Sequence, residues 1–133
     1  MKLRFYFKRI IRRRVKRKTP GRKDFLELKE KARLLVKSRL DFWNLHYKFS
    51  YGRISIRNQR SRWGSCSSKG NLNFNFRIVT LAPHLTDYII VHELCHIKQF
   101  NHSENFWNLV KETIPNCIEL QKELKKIKFK PRG

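Results

Sequence analysis

The sequence is organised around the stretch His92-Glu93-Leu94-Cys95-His96-Ile97-Lys98-Gln99-Phe100-Asn101-His102. The residues just before it, 88–91, are apolar, and Pro83 suits a first helical position. Together they predict a central, buried helix from Pro83 to about Gln99, because it is apolar on nearly all sides. His92 and His96 are four residues apart, so both imidazoles lie on one face of that helix, one turn apart.

Two imidazoles with this spacing can share a tetrahedral zinc ion. His102 follows His96 by six residues, as the third ligand does in the metzincin pattern H-E-x-x-H-x-x-G-x-x-H, although Gln99 stands at the glycine. Asn101 tolerates the left-handed conformation that would turn the chain back. We therefore expect His92, His96, His102 and one water to bind one Zn²⁺ per chain.

Two other interpretations of these residues stay open. Glu104 is a competing third ligand, although an acid also suits the first turn of a following helix. The histidines are alternatively ordinary core or surface residues without a metal. If the metal binds, Glu93 lies beside the first ligand, where a carboxylate can take a proton from water and later donate it to a leaving group.

The rest of the chain predicts an α+β fold, with a helix followed by strands and then helices. A first helix is expected to begin at Asp24, a good N-cap with Glu27 three residues on. Strands are predicted at residues 2–8, 53–57 and 72–77, and a long loop at residues 58–70. Ser103 and Asn116 are expected to cap two further helices, the first ended by Pro115. The first helix is expected to bury an apolar stripe made of Phe25, Leu28, Ala32, Leu35, Phe42, Leu45 and Phe49.

Composition restricts the kind of protein further. The 133 residues suffice for one domain, and a formal net charge of +22 favours polyanionic partners. Residues 1–23 hold 12 of the 32 basic residues and no acid, which predicts a basic arm at 1–20 ahead of a single domain at 21–133. The arm is either a nucleic-acid contact or a solubilising tail. Three cysteines without a C-x-x-C pair, and no signal peptide or membrane span, favour a cytoplasmic protein, which we expect to be monomeric.

Several motifs together resemble the YgjP-like metallopeptidase domain, a family related to the SprT-like zinc proteases. They are Arg62-Trp63-Gly64-Ser65-Cys66-Ser67, Leu72-Asn73-Phe74-Asn75-Phe76-Arg77, Asp87-Tyr88 before the histidine motif, and Asn101-His102-Ser103 with Phe106-Trp107. The resemblance implies a minimal zincin-type domain in which a small antiparallel sheet packs on the active-site helix between flanking helices. It also implies zinc-dependent hydrolysis, usually of peptide bonds. Many relatives have a longer β-rich segment before the first helix, where this sequence has a strongly basic stretch of roughly 20 residues.

The loop at residues 64–70 has no Walker A spacing, because Lys69 stands where that motif needs glycine. Its amides and the nearby arginines can still bind an anion such as a triphosphate or a carboxylate. We expect Arg62, Ser65 and Asn73 to contact substrate, and the strand at residues 71–76 to pair with an extended peptide. Cys66 is a candidate site-lining thiol, whereas Cys95 and Cys117 are expected to be structural.

Three functions are consistent with these residues. The first is a zinc metallopeptidase acting on a peptide or protein, with Glu93 as general base and acid. The second is hydrolysis of nucleoside triphosphates at the same metal site, since family members have also been described as nucleotide pyrophosphatases. The third is a basic nucleic-acid-binding module with a non-catalytic metal.

Overall fold

The computed structural model describes residues 22–127, which form an α+β fold as predicted. The elements are α1 (Arg22–Tyr47), β1 (Ile54–Arg57), β2 (Gly64–Cys66), β3 (Leu72–Asn75), a 3₁₀ helix (Phe76–Thr80), α2 (Pro83–Cys95), α3 (Glu104–Lys111) and α4 (Cys117–Lys126). The predicted strand at residues 2–8 and the basic arm lie outside the described residues.

Helix α1 packs against β1, the 3₁₀ helix and α2 through a face that includes part of the predicted stripe: Ala32 is fully buried, and Phe25, Leu28 and Phe49 pack against the core. Its fully buried residues include Ala32, Val36 and Leu40, whereas Phe42 is 52% exposed and Leu45 is 73% exposed. The prediction for these two was wrong, because they lie about 80° and 140° around the helix from Ala32. The helix also begins before the predicted cap: Asp24 is a buried residue of the first turn.

The sheet has the strand order β1-β3-β2 and is mixed. β2 pairs with β3 in the antiparallel sense, as predicted for the whole sheet, but β1 and β3 are parallel. The chain leaves β1, forms β2 at the far edge and returns through the centre, so the predicted antiparallel pairing of the two alternating segments was wrong. Strand β2 lies inside the predicted loop, since Gly-Ser-Cys shows no alternation of apolar and polar residues.

Asn75 fixes the loop between β1 and β2 to the core. Its side chain is fully buried, and its Nδ2 donates to the carbonyl oxygens of Gln59 at 2.7 Å and Arg62 at 2.9 Å. Its Oδ1 accepts from the backbone N–H of Arg77 at 3.0 Å, at the start of the 3₁₀ helix. One amide therefore sets the position of Arg62 and of the residues that lead into β2.

Helix α2 occupies the centre of the fold. It begins with Pro83 at its first turn and buries nine of its thirteen residues, which confirms the predicted central helix. Arg39 of α1 holds its first half through two hydrogen bonds to the Asp87 carboxylate, at 2.7 and 3.0 Å. The helix ends at Cys95 rather than near Gln99, and the chain tightens there through i→i−3 hydrogen bonds from Ile97 and Lys98.

The last two helices follow the predicted caps in part. Ser103 caps α3, since its Oγ accepts from the backbone N–H of Phe106, and α3 ends at Lys111, four residues before Pro115. Asn116 occupies the N-cap position of α4, but its side chain makes no capping hydrogen bond. Among the helices within residues 22–127, none combines the length and apolarity that crossing a bilayer requires.

Replacing Asn75 by alanine tests how far this amide holds the fold. The variant leaves the Arg62 carbonyl and the Arg77 N–H without this partner, whereas the Gln59 carbonyl keeps its hydrogen bond from Nη1 of Arg77, so we expect the free energy of unfolding to fall by roughly 1–3 kcal/mol. Urea denaturation measures it. Asn108→Ala, at an exposed position of α3, is the matched control and should change stability by no more than about 0.5 kcal/mol. Equal stabilities for both variants would contradict the role given to Asn75.

Candidate metal centre

Three imidazoles converge where helix α2 ends. His92 lies in the last turn, His96 is the C-cap residue, and His102 comes from the segment before α3. Their Nε2 atoms are separated by 3.2 Å for His92 and His96, 3.1 Å for His96 and His102, and 3.1 Å for His92 and His102. Within residues 22–127 this is the one group of three or more His, Cys, Asp or Glu side chains that could hold a metal ion.

The donor chemistry of the group fits zinc. Nitrogen ligands about 2.0–2.1 Å from a tetrahedral ion lie roughly 3.3 Å from one another, close to the separations found here. Burial, with the neighbouring imidazoles, lowers the pKa of His92 to about 3, and burial also lowers the pKa of His96. Both rings are therefore neutral at pH 7 and have lone pairs for a cation. Three protein ligands leave a fourth position for water or substrate.

Neighbouring groups orient the imidazole rings of His92 and His96. The Nδ1 atom of His96 lies 3.0 Å from the carbonyl oxygen of Gln99, which can only accept, so Nδ1 carries the proton and Nε2 faces the metal position. The Tyr88 hydroxyl lies 3.2 Å from Nδ1 of His92. Phe106 stacks on the ring of His96 with centroids 4.4 Å apart.

Glu93 lies beside β2 and lines the same cleft as His92. Its side chain is buried, and burial raises the pKa of its carboxyl to about 8, while Arg62 acts in the opposite direction. A Cβ on Gly64 would lie 3.0 Å from Cγ of Glu93 and 3.1 Å from its Oε2. Glycine at position 64 thus lets β2 approach the carboxylate closely.

A cleft of about 610 Å³ opens beside Glu93 and His92, between helices α2 and α4 and the segment leading into β2. Its walls are largely apolar, with Trp63, Ile89 and Leu124 among them. Its basic residues are Arg60, Arg62 and Lys125, all with exposed side chains. An extended peptide passing Glu93 would therefore have apolar side chains on one side and, on the other, a basic rim formed by Arg60, Arg62 and Lys125.

The structure brings some of the sequence-predicted residues together and separates others. Arg62 lines the cleft. Ser65 and Asn73 face away from the core, and Nδ2 of Asn73 donates a hydrogen bond to Oγ of Ser65 at 3.2 Å. Asn73 also accepts from Nε of Arg57 at 3.0 Å. Strand β3 has a neighbour on both edges, so the expectation that residues 71–76 pair with a peptide was wrong.

The remaining candidates lie apart from the histidine group. Glu104 is exposed in the first turn of α3, as its alternative interpretation expects. Cys95 is fully buried, and burial raises the pKa of its thiol to about 12. Cys66 is half-buried, and burial raises the pKa of its thiol to about 11, with a smaller effect of Glu93. Neither thiol has the low pKa that a metal ligand or a nucleophile needs.

Sequence reasoning missed three residues of the site. Tyr88 stands four residues before His92, so helical spacing alone could have indicated that their side chains meet. Gly64 and Lys125 have no such signal, because their places depend on which edge β2 occupies and on how α4 folds back over α2.

Removing His102 tests the third ligand. Losing one of three ligands should weaken zinc binding by more than ~100-fold, since losing an outer partner of a ligand alone typically costs about 10–100-fold. Competition with a chelating dye measures the affinity, and mass spectrometry measures the zinc content. His84→Ala is the matched control, because His84 is exposed and lies outside the histidine group, with its Nε2 atom 2.6 Å from Oε2 of Glu123. Loss of zinc in Glu104→Gln but not in His102→Ala would assign the third ligand to Glu104.

Replacing Tyr88 by phenylalanine tests whether its hydroxyl orients His92. When Nε2 binds the metal, Nδ1 carries the proton and donates to the tyrosine oxygen. Without that oxygen we expect zinc affinity to fall by about 10–100-fold with little change in the thermal unfolding midpoint of the metal-free protein. Tyr51→Phe removes a hydroxyl outside the site and serves as the control. Unchanged affinity in Tyr88→Phe would mean that the ring is held by packing alone.

Comparison with known proteins identifies a family and two solved structures that this chain is similar to. No curated protein matches the sequence. Among solved structures, the metallopeptidase zymogen abylysin of Pyrococcus abyssi is similar, with 23% identity, a TM-score of 0.63, and coverage of 68% of this chain and 92% of that one. The metallopeptidase zymogen jannalysin of Methanocaldococcus jannaschii is also similar, with 23% identity, a TM-score of 0.59, and coverage of 68% and 94%. A family model for the YgjP-like metallopeptidase domain matches residues 7–127, so the chain belongs to that family and is a metal-dependent peptidase.

Proposed function

We propose that the protein hydrolyses peptide bonds with a zinc ion held by His92, His96 and His102, and with Glu93 as general base and acid. The observation that carries this proposal is the position of a buried carboxyl beside three converging imidazoles, at the end of an open cleft. A bound zinc ion would polarise the scissile carbonyl and make water easier to deprotonate at neutral pH.

The protein's own residues would then move the proton. Glu93 would accept it from the attacking water and pass it to the nitrogen of the departing amine. A pKa raised to about 8 by burial suits both directions of transfer near neutral pH, and Arg62 favours the ionised form that accepts the proton. Gly64 keeps the space beside the carboxylate open, because any larger residue would press on it.

Strand β2 offers the edge on which a peptide would lie. The carbonyl of Trp63 and the N–H of Ser67 bond towards β3, at 2.8 and 2.9 Å. Since backbone groups alternate along a strand, those of Gly64 and Cys66 point to the other edge. An extended peptide added there would take the hydrogen bonds of a fourth strand and pass directly over Glu93.

A reducing compartment such as the cytoplasm is part of the same proposal. The three cysteines are free thiols, and two of them are fully buried. Thiols of this kind persist where glutathione and thioredoxin keep them reduced.

The variant Glu93→Gln tests the proposed base. It keeps the shape of the side chain but removes its ability to accept a proton, so turnover should fall by about 10²–10⁴-fold or more. Zinc content should stay near one per chain, because Glu93 is not in the ligand group. The assay follows cleavage of a disordered protein by the zinc-reconstituted full chain. Glu104→Gln, which changes an exposed acid nearby, should leave the rate unchanged.

Two outcomes would contradict the proposal. Full activity in Glu93→Gln would exclude this residue as the base. Release of phosphate from nucleoside triphosphates without cleavage of any protein, also lost in Glu93→Gln, would make the same site a nucleotide hydrolase.

A further inference from the structure

We propose that the cleft beside Glu93 selects peptides with an acidic residue on the carboxyl side of the scissile bond. Arg60, Arg62 and Lys125 would provide this selection. The inference deepens the proposed function and rests on it, because it names the class of peptide that this site would prefer.

The charge of the cleft is one-sided. Three of its lining residues are basic, and Glu93 is its one acidic lining residue, with a buried carboxyl beside the histidines. Within the described part of the chain, no ion pair is formed by Arg60, Arg62 or Lys125. The sequence has no acid anywhere in residues 42–86, so the segment that carries both arginines has no acidic neighbour along the chain.

The backbone that carries the basic residues is held in place before any ligand arrives. Asn75 bonds to the carbonyl oxygens of Gln59 and Arg62, which fixes the backbone on either side of Arg60. Lys125 comes from helix α4, which packs on α2. A fixed backbone keeps the three side chains around one cleft, so only side-chain freedom is lost when a ligand binds, which favours selectivity.

The apolar walls strengthen the effect of these charges. Trp63, Ile89 and Leu124 exclude water from one side of the cleft. A cleft with low-dielectric walls and one sign of charge concentrates its field and raises the local concentration of ions of the opposite sign. A carboxylate entering here would therefore be attracted more strongly than on an open surface.

The direction of the peptide follows from the open edge of β2. The basic residues Arg60 and Arg62 precede this strand, at its amino end. A peptide paired antiparallel to β2, the more stable sense of pairing, has its carboxyl side at that end. Residues after the scissile bond would thus run from Glu93 towards Arg62 and Lys125.

The test compares pairs of otherwise identical peptides in which one position after the scissile bond is aspartate or asparagine. We expect the wild-type enzyme to prefer aspartate by about tenfold in kcat/KM, equivalent to about 1.4 kcal/mol. The preference should shrink as salt is raised from roughly 0.05 to 0.5 M, because the basic rim is solvent-accessible. Moving one aspartate along a peptide series, with products identified by mass spectrometry, shows which side of the cleaved bond matters.

Variants then assign the preference to residues. Arg62→Gln and Lys125→Gln should each lower the aspartate preference by roughly two- to fivefold, as expected for solvent-exposed ion pairs. Arg62→Gln also affects Glu93, but that effect cancels in the ratio of two peptides measured with the same variant. Arg53→Gln and Lys122→Gln remove exposed charges outside the cleft and should leave the preference unchanged.

A binding measurement separates selection from catalysis. Fluorescence anisotropy of labelled aspartate and asparagine peptides with metal-free Glu93→Gln protein should show the same preference without turnover. Equal cleavage of both peptides by an active enzyme, or a preference confined to the amino side of the cleaved bond, would overturn this inference and leave the proposed function standing. Cleavage of no peptide, combined with tighter binding of the aspartate peptide, would instead support the anion-selective cleft and overturn the peptidase function.

Discussion

The arrangement of the site depends on three imidazole nitrogens that lie within 3.2 Å of one another at the end of a buried helix. Lone pairs aimed at one point repel unless a cation lies between them. Burial keeps His92 and His96 neutral, so their protons do not compete with the metal. The same burial supplies the raised pKa of Glu93. One physical condition, low water access around α2, therefore shifts the pKa of two of the proposed ligands and of the proposed base.

The early end of α2 makes the third ligand possible. If the helix continued to Gln99, the chain would move away from His96 along the helix axis, at about 1.5 Å per residue. Instead the helix ends at Cys95, the chain tightens, and the carbonyl of Gln99 turns back to accept from His96. The cap by Ser103 then starts α3, whose Phe106 and Trp107 stack on His96 and His102.

Sequence reasoning predicted the parts of this site that depend on local spacing. The four-residue and six-residue intervals place His92, His96 and His102, and the alternation of apolar residues locates β1 and β3. The order of the strands was beyond such reasoning, because alternation does not encode which edge a strand takes. Three small residues, Gly64 to Cys66, form the edge that faces Glu93. The predicted buried face of α1 was wrong at Phe42 and Leu45. Over twenty-six residues, positions assigned to one stripe from their spacing alone drift around the helix.

The segment from Arg60 to Cys66 then carries the groups on which both the proposed catalysis and the proposed selection depend. Gly64 admits the carboxylate of Glu93. In the proposed binding mode the outer edge of β2 would offer backbone groups to a peptide, and Arg60 and Arg62 would lie at the carboxyl side of that peptide. The three histidines that could hold a metal come from α2 and the residues after it, and the segment supplies none of them. Its basic residues are therefore separate from the histidine group, whereas a Cβ on Gly64 would press on the carboxylate of Glu93. If both proposals hold, a chain with the same histidines and a different segment would keep the reaction and change its substrates.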